Sequence, residues 1–198
     1  MIGSCKHSSY RRDNFHLLLD FTTDRASITG ANGESHKGVS MVYLLALMIG
    51  VVAGLRAMTA PAAIAWAAYL GWLNLSGSWL AFMGTIWAVG IFTILAVVEL
   101  VTDQLPSTPS RKVPQQFGAR LIMGALTGAA IGTPYGGWIV GLIAGIIGAA
   151  IGTYGGAAVR GKLAASFGKD PPAAFIEDAV AIIAAYLIVA SLPVAAAV

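Results

Sequence analysis

The sequence predicts an all-α integral membrane protein, a compact bundle of five to six transmembrane helices. Of its 198 residues, 57% are hydrophobic and only 11% are charged, whereas an ordinary soluble domain is about 25% charged. Apolar stretches of about 20 residues, the length that a helix needs to cross a bilayer, recur along the chain. This composition excludes a water-soluble monomer and a fully disordered chain.

The charged residues divide the chain near residue 40. Residues 1–40 hold nine of the 21 charged residues, are rich in Ser, Thr, Gly and Asn, and show no sustained apolar period. They also lack the apolar segment and small-residue cleavage site of a secretory signal. We predict a polar, disordered tail over residues 1–40 and a polytopic transmembrane domain over 41–198. Met41, which begins the first apolar run, is an alternative initiator.

The first apolar stretch, residues 41–73, is predicted to be a broken helix. A continuous helix of this length would measure roughly 50 Å, well beyond a hydrocarbon core of about 30 Å. Arg56 and Pro61 interrupt the stretch, and Thr59 is a candidate N-cap two residues before the proline. We therefore predict helices over about 41–55 and 60–73, which meet at residues 54–59.

Four further apolar stretches each predict one crossing. Each is about as long as a transmembrane helix and carries at most two charges, placed near an end. If the broken pair counts as two crossings the total is six, and if it counts as one the total is five. The four stretches are Trp79–Val101, Phe117–Thr133, Trp138–Val159 and Ala173–Val194.

The basic residues predict the orientation in the membrane. The linkers 102–116 and 160–173 contain Arg and Lys, whereas the 74–78 loop, the 134–137 turn and the C-terminus contain neither. The positive-inside rule then makes both linkers cytoplasmic and puts the C-terminus outside a cell inner membrane. Six crossings place the N-terminus outside, and five place it inside.

Glycines recur at four-residue spacing in the C-terminal half. Residues 118–161 contain 13 of the 24 glycines. A spacing of four keeps them on one helix face, where another backbone can approach closely. We predict a glycine zipper that packs the fourth and fifth segments as a hairpin, with a homo-oligomeric interface as the alternative. The predicted helix-packing residues are Gly124, Gly128, Gly132, Gly137, Gly141, Gly145, Gly148, Gly152 and Gly156.

Six charged residues are the candidate substrate or ion-pathway residues. A charge at membrane depth costs about 2.5–3.5 kcal/mol on insertion scales, so a retained one needs a reason. We predict that they form one acidic and basic cluster at the inner mouth of the bundle, beside the helix break. The alternative is that they are interfacial charges whose pairing fixes helix register. They are Arg56, Glu99, Asp103, Arg120, Glu177 and Asp178.

No residue pattern indicates an enzyme or a cofactor. All three His and the single Cys5 precede residue 41, so the hydrophobic body lacks the residues for a Cys/His metal site or catalytic pair. No Walker, Rossmann or zincin pattern is present. We expect no catalytic residues, no metal, no cofactor and no nucleic-acid binding, since the formal charge is only +3. The expected partners are the lipid bilayer, anionic headgroups on the cytoplasmic face, and a second copy of the chain in a homo-oligomer.

Two motifs resemble a known family. Gly54-Leu-Arg56 before an apolar helix, followed by Glu99-Leu-Val-Thr-Asp103-Gln-Leu-Pro106, resemble a family of small polytopic bacterial inner-membrane proteins classed as a domain of unknown function. The resemblance covers residues 41–198 and departs from the family pattern at Gln104, where that pattern has Lys. It implies an integral membrane protein and no particular activity.

Two functions of different class follow from these observations. A small-solute or ion transporter or channel explains the charges near the helix break, whereas a structural or assembly protein explains the glycines and the lack of catalytic chemistry. A membrane enzyme that uses Glu and Asp for acid–base work is a third. The position of Arg56 discriminates between the first two, because contact with water and an acidic partner favours transport and enclosure by protein alone favours a structural role.

Overall fold

The computed structural model of the chain describes residues 38–103, 113–168 and 170–193, without the side chains of residues 170 and 171. Contacts divide the chain into two units, Met1–Ser40 and Met41–Val198. The predicted tail lies outside the described residues as far as residue 37, and residues 38–40 begin a helix.

The all-α fold class is confirmed, since the described residues form helices and turns and no strand. Short 3-10 turns occupy Ala81–Gly84 and Thr133–Tyr135. The helices are α1 (Gly38–Leu55), α2 (Thr59–Tyr69), α3 (Ile86–Thr102), α4 (Pro114–Gly132), α5 (Trp138–Phe167) and α6 (Asp170–Ala190).

Within the described parts of the chain, three helices are long and apolar enough to cross a membrane: Gly38–Leu55, Trp138–Phe167 and, within α6, Pro172–Ala190. Helices of this length and composition are typical of a membrane protein. Helix α3 is equally apolar but has only 17 residues, which gives a length of about 25 Å.

The predicted break in the first apolar stretch is confirmed. Helix α1 ends at Leu55 and α2 begins at Thr59. Helix α2 stops at Tyr69, four residues before the predicted end, because Gly71 takes a left-handed conformation at φ 79°. A glycine in this conformation is the usual end of a helix, since it has no Cβ to be strained.

The third predicted span begins too early. Trp79 and the residues up to Thr85 form turns, and α3 begins at Ile86. Thr85 fixes this start, because its Oγ1 accepts a hydrogen bond from the N–H of Ala88 at 3.3 Å. The apolar stretch continues across the loop, so hydropathy alone does not show where the N-cap of α3 lies.

The fifth helix is longer than predicted. We expected it to end at Val159, but it continues to Phe167 and stops at Gly168, where φ is 67°. Most of the predicted 160–173 linker is therefore helical. Hydropathy marks where an apolar run ends, whereas Lys, Leu and Ala beyond it are good helix formers.

The remaining two helices are shifted by a few residues. Helix α4 begins at Pro114, where a proline without an N–H suits the first turn, and it ends one residue before the predicted boundary. Helix α6 ends at Ala190, four residues before the predicted end.

The bundle of helices has two distinct ends. At one of them, the turn end, the Trp79 and Trp138 rings lie 6.5 Å apart and the Tyr43 ring lies against Gly137. The Tyr135 hydroxyl donates to the carbonyl of Pro193 at 2.5 Å there. This end therefore holds the start of α1, the loop between α2 and α3, the turn between α4 and α5, and the end of α6. The α1–α2 break lies at the other end. Successive helices alternate in direction, which is the order that the six-segment interpretation requires.

Candidate functional site

The carbonyl end of α1 is satisfied by side chains from other helices. Arg120 of α4 donates from Nη1 to the carbonyl oxygens of Gly54 at 2.9 Å and Leu55 at 2.6 Å. The Thr153 hydroxyl of α5 lies 3.3 Å from the Gly54 carbonyl oxygen, but its single proton has a shorter acceptor in the Ala149 carbonyl oxygen at 2.8 Å, so Arg120 is the main donor here. The carboxyl end of a helix carries partial negative charge, so a buried cation is the appropriate partner.

The N–H groups after the break are held by Glu99 of α3. Its Oε1 accepts from the N–H of Ala57 at 2.7 Å, and its Oε2 accepts from the N–H of Met58 at 2.8 Å. Hydrogen bonds to an ionised carboxylate are the stronger kind, and the amino end of α2 carries partial positive charge. Each end of the broken helix therefore meets a side chain of opposite charge from another helix.

The prediction that Thr59 caps α2 is wrong. The N-cap is Met58, and Thr59 is the first helical residue. The Thr59 side chain makes no hydrogen bond to any residue that the structure describes, although the residue is only 7% exposed. Glu99 takes the capping role instead, which a search of neighbouring residues does not find because Glu99 is distant in sequence.

Arg56 lies at the centre of the predicted charged residues. It is wholly buried at 0% exposure and forms ion pairs with Asp103 and Asp178. Arg120 Nη2 lies 3.7 Å from Glu99 Oε1 and 3.9 Å from Asp103 Oδ2. The structure thus brings three helices and the break together through charged side chains.

A seventh member was missed in the sequence. Arg160 lies in α5, where Nη1 is 3.5 Å from Glu177 Oε2 and Nη2 donates to the carbonyl of Asp103 at 3.3 Å. We had placed it in a cytoplasmic linker. The signal that could have found it is its spacing, since Arg160 continues the four-residue row of Gly152 and Gly156 and so points to the same face.

These seven residues are called the charge cluster below. Their side chains range from 0% exposed at Arg56 to 16% exposed at Arg160. Removing one partner from a buried ion pair is strongly destabilising, so the members depend on one another. The charge cluster comprises Arg56, Glu99, Asp103, Arg120, Arg160, Glu177 and Asp178.

The cluster has the chemistry of ion pairing. Among the described residues no three His, Cys, Asp or Glu side chains are placed to hold a metal ion. Arginine keeps its proton in proteins, so any change in ionisation falls on the carboxylates. Three guanidinium groups lie among the four acids, and Arg56 and Arg120 each pair with two of them.

Seven of the nine predicted helix-packing glycines lie at close backbone contacts. Gly124, Gly128 and Gly132 of α4 face Gly141, Gly145 and the start of α5, and a Cβ added to Gly128 would overlap the carbonyl oxygen of Gly141. At Gly137 the close neighbour is a side chain, since an added Cβ would meet the Tyr43 ring. This close approach positions Arg120 beside the break.

Two packing glycines were missed. Gly50 and Gly54 of α1 lie against α5, and an added Cβ at either would overlap α5 backbone. Gly148 and Gly152 are their counterparts on α5, while Gly156 is buried one turn further along. The two missed residues have the same four-residue spacing, which could have identified them.

Comparisons with known proteins identify a family but no activity. A family model described as Domain of unknown function (DUF4126) matches residues 43–198, a range that contains the whole charge cluster. No curated protein and no solved structure matches the chain.

Proposed function

The chain belongs to the DUF4126 family, a domain of unknown function, and we propose that it is an integral membrane protein that passes an ion or a small solute across the cell inner membrane. The observation that supports this is the break at residues 56–58, whose backbone groups are held by charged side chains of α3 and α4. In many secondary transporters the substrate and ion sites are formed by half-helix ends and the irregular backbone between them. Irregular backbone at membrane depth is tolerated only where protein or a water-filled cavity satisfies it.

In this proposal the charge cluster supplies the moving parts. Arg56 contacts two carboxylates from different parts of the bundle, Asp103 at the C-cap of α3 and Asp178 of α6. A shift of either helix changes which acid pairs with which guanidinium. Such an exchange of partners is a way for a helical bundle to adopt two arrangements of similar free energy.

A structural or assembly role is the second candidate, and one observation favours it. Arg56 is 0% exposed and is enclosed by carboxylates of the same chain. In that case the charge cluster only holds the ends of α1 and α2 in place, and the glycine contacts hold α1, α4 and α5 together.

The proposal extends to partners and orientation. We propose no enzymatic activity and no cofactor, since the body of the sequence has neither His nor Cys, and no nucleic-acid partner, since the formal charge is only +3. The break end faces the cytoplasm and anionic lipid headgroups, with the turn end and the C-terminus outside. Self-association as a homo-oligomer is part of the proposal and is separable from transport.

The test asks whether water reaches the break. In a Cys5→Ser background, Thr59→Cys places a thiol at the break and Thr127→Cys places one at a matched position in α4. Both threonines are buried, at 7% and 0% exposure, but the Thr127 hydroxyl donates to the carbonyl of Met123 at 2.8 Å within its own helix. Ser76→Cys, in an exposed loop, is the positive control.

Each variant in membranes is treated with a small, charged methanethiosulfonate reagent. We expect labelling at Thr59→Cys and Ser76→Cys and none at Thr127→Cys, because a transport site must meet water from at least one side. If Thr59→Cys stays unlabelled from both sides while Ser76→Cys reacts, the break is sealed and the structural role replaces transport.

A further inference from the structure

We propose that the break between α1 and α2 is a binding site for a small carboxylate, and that Glu99 occupies it as a tethered competitor. This inference rests on the proposed transport function and names its substrate class. A small carboxylate here means a monoanion such as formate or acetate, or the carboxylate group of a slightly larger solute.

The geometry of the break is that of a carboxylate receptor. The N–H groups of Ala57 and Met58 each bind a different oxygen of the Glu99 carboxylate, at 2.7 and 2.8 Å. Arg120 Nη2 lies 3.7 Å from one of those oxygens. Successive backbone N–H groups that converge in this way form a concave site for an anion. The Glu99 side chain demonstrates that a carboxylate fits between these donors.

The break also holds donors that Glu99 does not use. Thr59 is 7% exposed, and its hydroxyl makes no hydrogen bond to a described residue. Arg56 is 0% exposed, and its Nε likewise makes no hydrogen bond to a described residue. A buried polar group without a partner costs about 1–3 kcal/mol, so each one calls for an explanation.

The chemistry of these donors selects the ligand. An arginine N–H can only donate, and a threonine hydroxyl can donate as well, so an acceptor oxygen satisfies both. A metal cation would need oxygen ligands and would be repelled by Arg56 and Arg120. The neighbouring acids Asp103 and Asp178 are already paired with Arg56. The surplus donors therefore favour an oxygen-bearing anion.

Glu99 makes such a site switchable. When a free carboxylate takes its place, the N–H groups of Ala57 and Met58 keep an acceptor, so the exchange leaves no donor unsatisfied. A ligand shifts a conformational equilibrium only through different interactions in the two states. Release of Glu99, which lies on α3, supplies that difference by freeing α3 from the break.

Radiolabelled acetate binding to the purified protein in detergent tests the inference. Glu99→Ala empties the receptor, and Glu177→Ala is the matched control, since it removes a carboxylate of the charge cluster that lies 3.5 Å from Arg160. We expect saturable binding that is at least about tenfold tighter in Glu99→Ala than in the wild type, because a tethered competitor acts at an effective concentration in the millimolar range or above. Formate should compete, whereas acetamide and sodium chloride at matched ionic strength should not.

The outcomes are distinct from those of the labelling test. If Glu99→Ala shows no saturable binding, or binds no more tightly than Glu177→Ala, the carboxylate inference is overturned, and labelling of Thr59→Cys would still leave the transport proposal standing. If Glu99→Ala does not fold, Glu99→Ser is used. If neither folds, saturable acetate binding to the wild type that formate displaces supports the site, and its absence overturns it.

Discussion

Arg120 performs two tasks with one guanidinium group. Nη1 binds the carbonyls of Gly54 and Leu55, while Nη2 faces Glu99 and Asp103. The planar fork of arginine has donors in fixed directions, so it can bind a backbone end and carboxylates at once. Lysine has a single ammonium group and cannot span both.

Replacement of Arg120 should therefore be strongly destabilising. Arg120→Met removes the guanidinium partner of the two α1 carbonyls and of the Glu99 and Asp103 carboxylates. We expect the free energy of unfolding to fall by about 3–5 kcal/mol. Arg120→Lys should lose less, because it keeps the charge but not the fork geometry. Unfolding of the purified protein in mixed micelles with increasing dodecyl sulfate measures both.

The matched control is Lys162→Met, which removes an exposed cation of α5. A surface change of this kind should alter the free energy of unfolding by less than about 0.5 kcal/mol. Equal losses for Arg120→Met and Lys162→Met would show that Arg120 does not hold the break.

Helix α5 packs against two of its neighbours through close backbone contacts at glycines. Helix α5 has α4 on one side and α1 on another, and glycines occur at both contacts. Lipid supplies no hydrophobic force between helices, so close van der Waals approach must provide much of the association. This approach also determines where the break lies relative to Arg120 and Thr153.

Two glycines of the same bundle test this packing. A Cβ at Gly128 would overlap the carbonyl of Gly141, whereas a Cβ at Gly155 of α5 would have no described atom within 4 Å. We expect Gly128→Ala to lower the free energy of unfolding by about 1–3 kcal/mol through overpacking. Gly155→Ala should be neutral or stabilising by up to about 1 kcal/mol, since alanine favours a helix.

The same dodecyl sulfate titration compares the two variants. If Gly128→Ala is as stable as Gly155→Ala, α4 and α5 are not in backbone contact at this point. A homo-oligomeric contact would give a different result, because the loss at Gly128 would then depend on protein concentration.

At the scale of the molecule, the sequence predicts which helices exist better than where they end. Apolar runs located all six helices and the break at Arg56, because a charge and a proline inside an apolar run have few other structural explanations. Boundaries at Thr85 and Gly168 depend on a cap and a left-handed glycine, which hydropathy does not detect.

The candidate site was predictable in part. The six charged residues were identified by their cost at membrane depth, and the structure places all of them in the charge cluster. What was not predictable is the partner of each backbone group at the break. Glu99 and Arg120 reach it across 41 and 65 residues of sequence, and no local pattern encodes such a contact.

The two ends of the molecule give the last prediction, which concerns orientation. Ser76 belongs to the loop next to Trp79 at the turn end, and Ser166 is exposed on α5 beyond the charge cluster. In a Cys5→Ser background, we expect Ser76→Cys to react with an impermeant maleimide on intact cells and Ser166→Cys to react only in inverted vesicles. The reason is that Arg160 and Lys162, near Ser166, favour the cytoplasmic side. Labelling of both thiols from one side would contradict the alternation of helix directions, and a reversal of the two sides would contradict only the orientation.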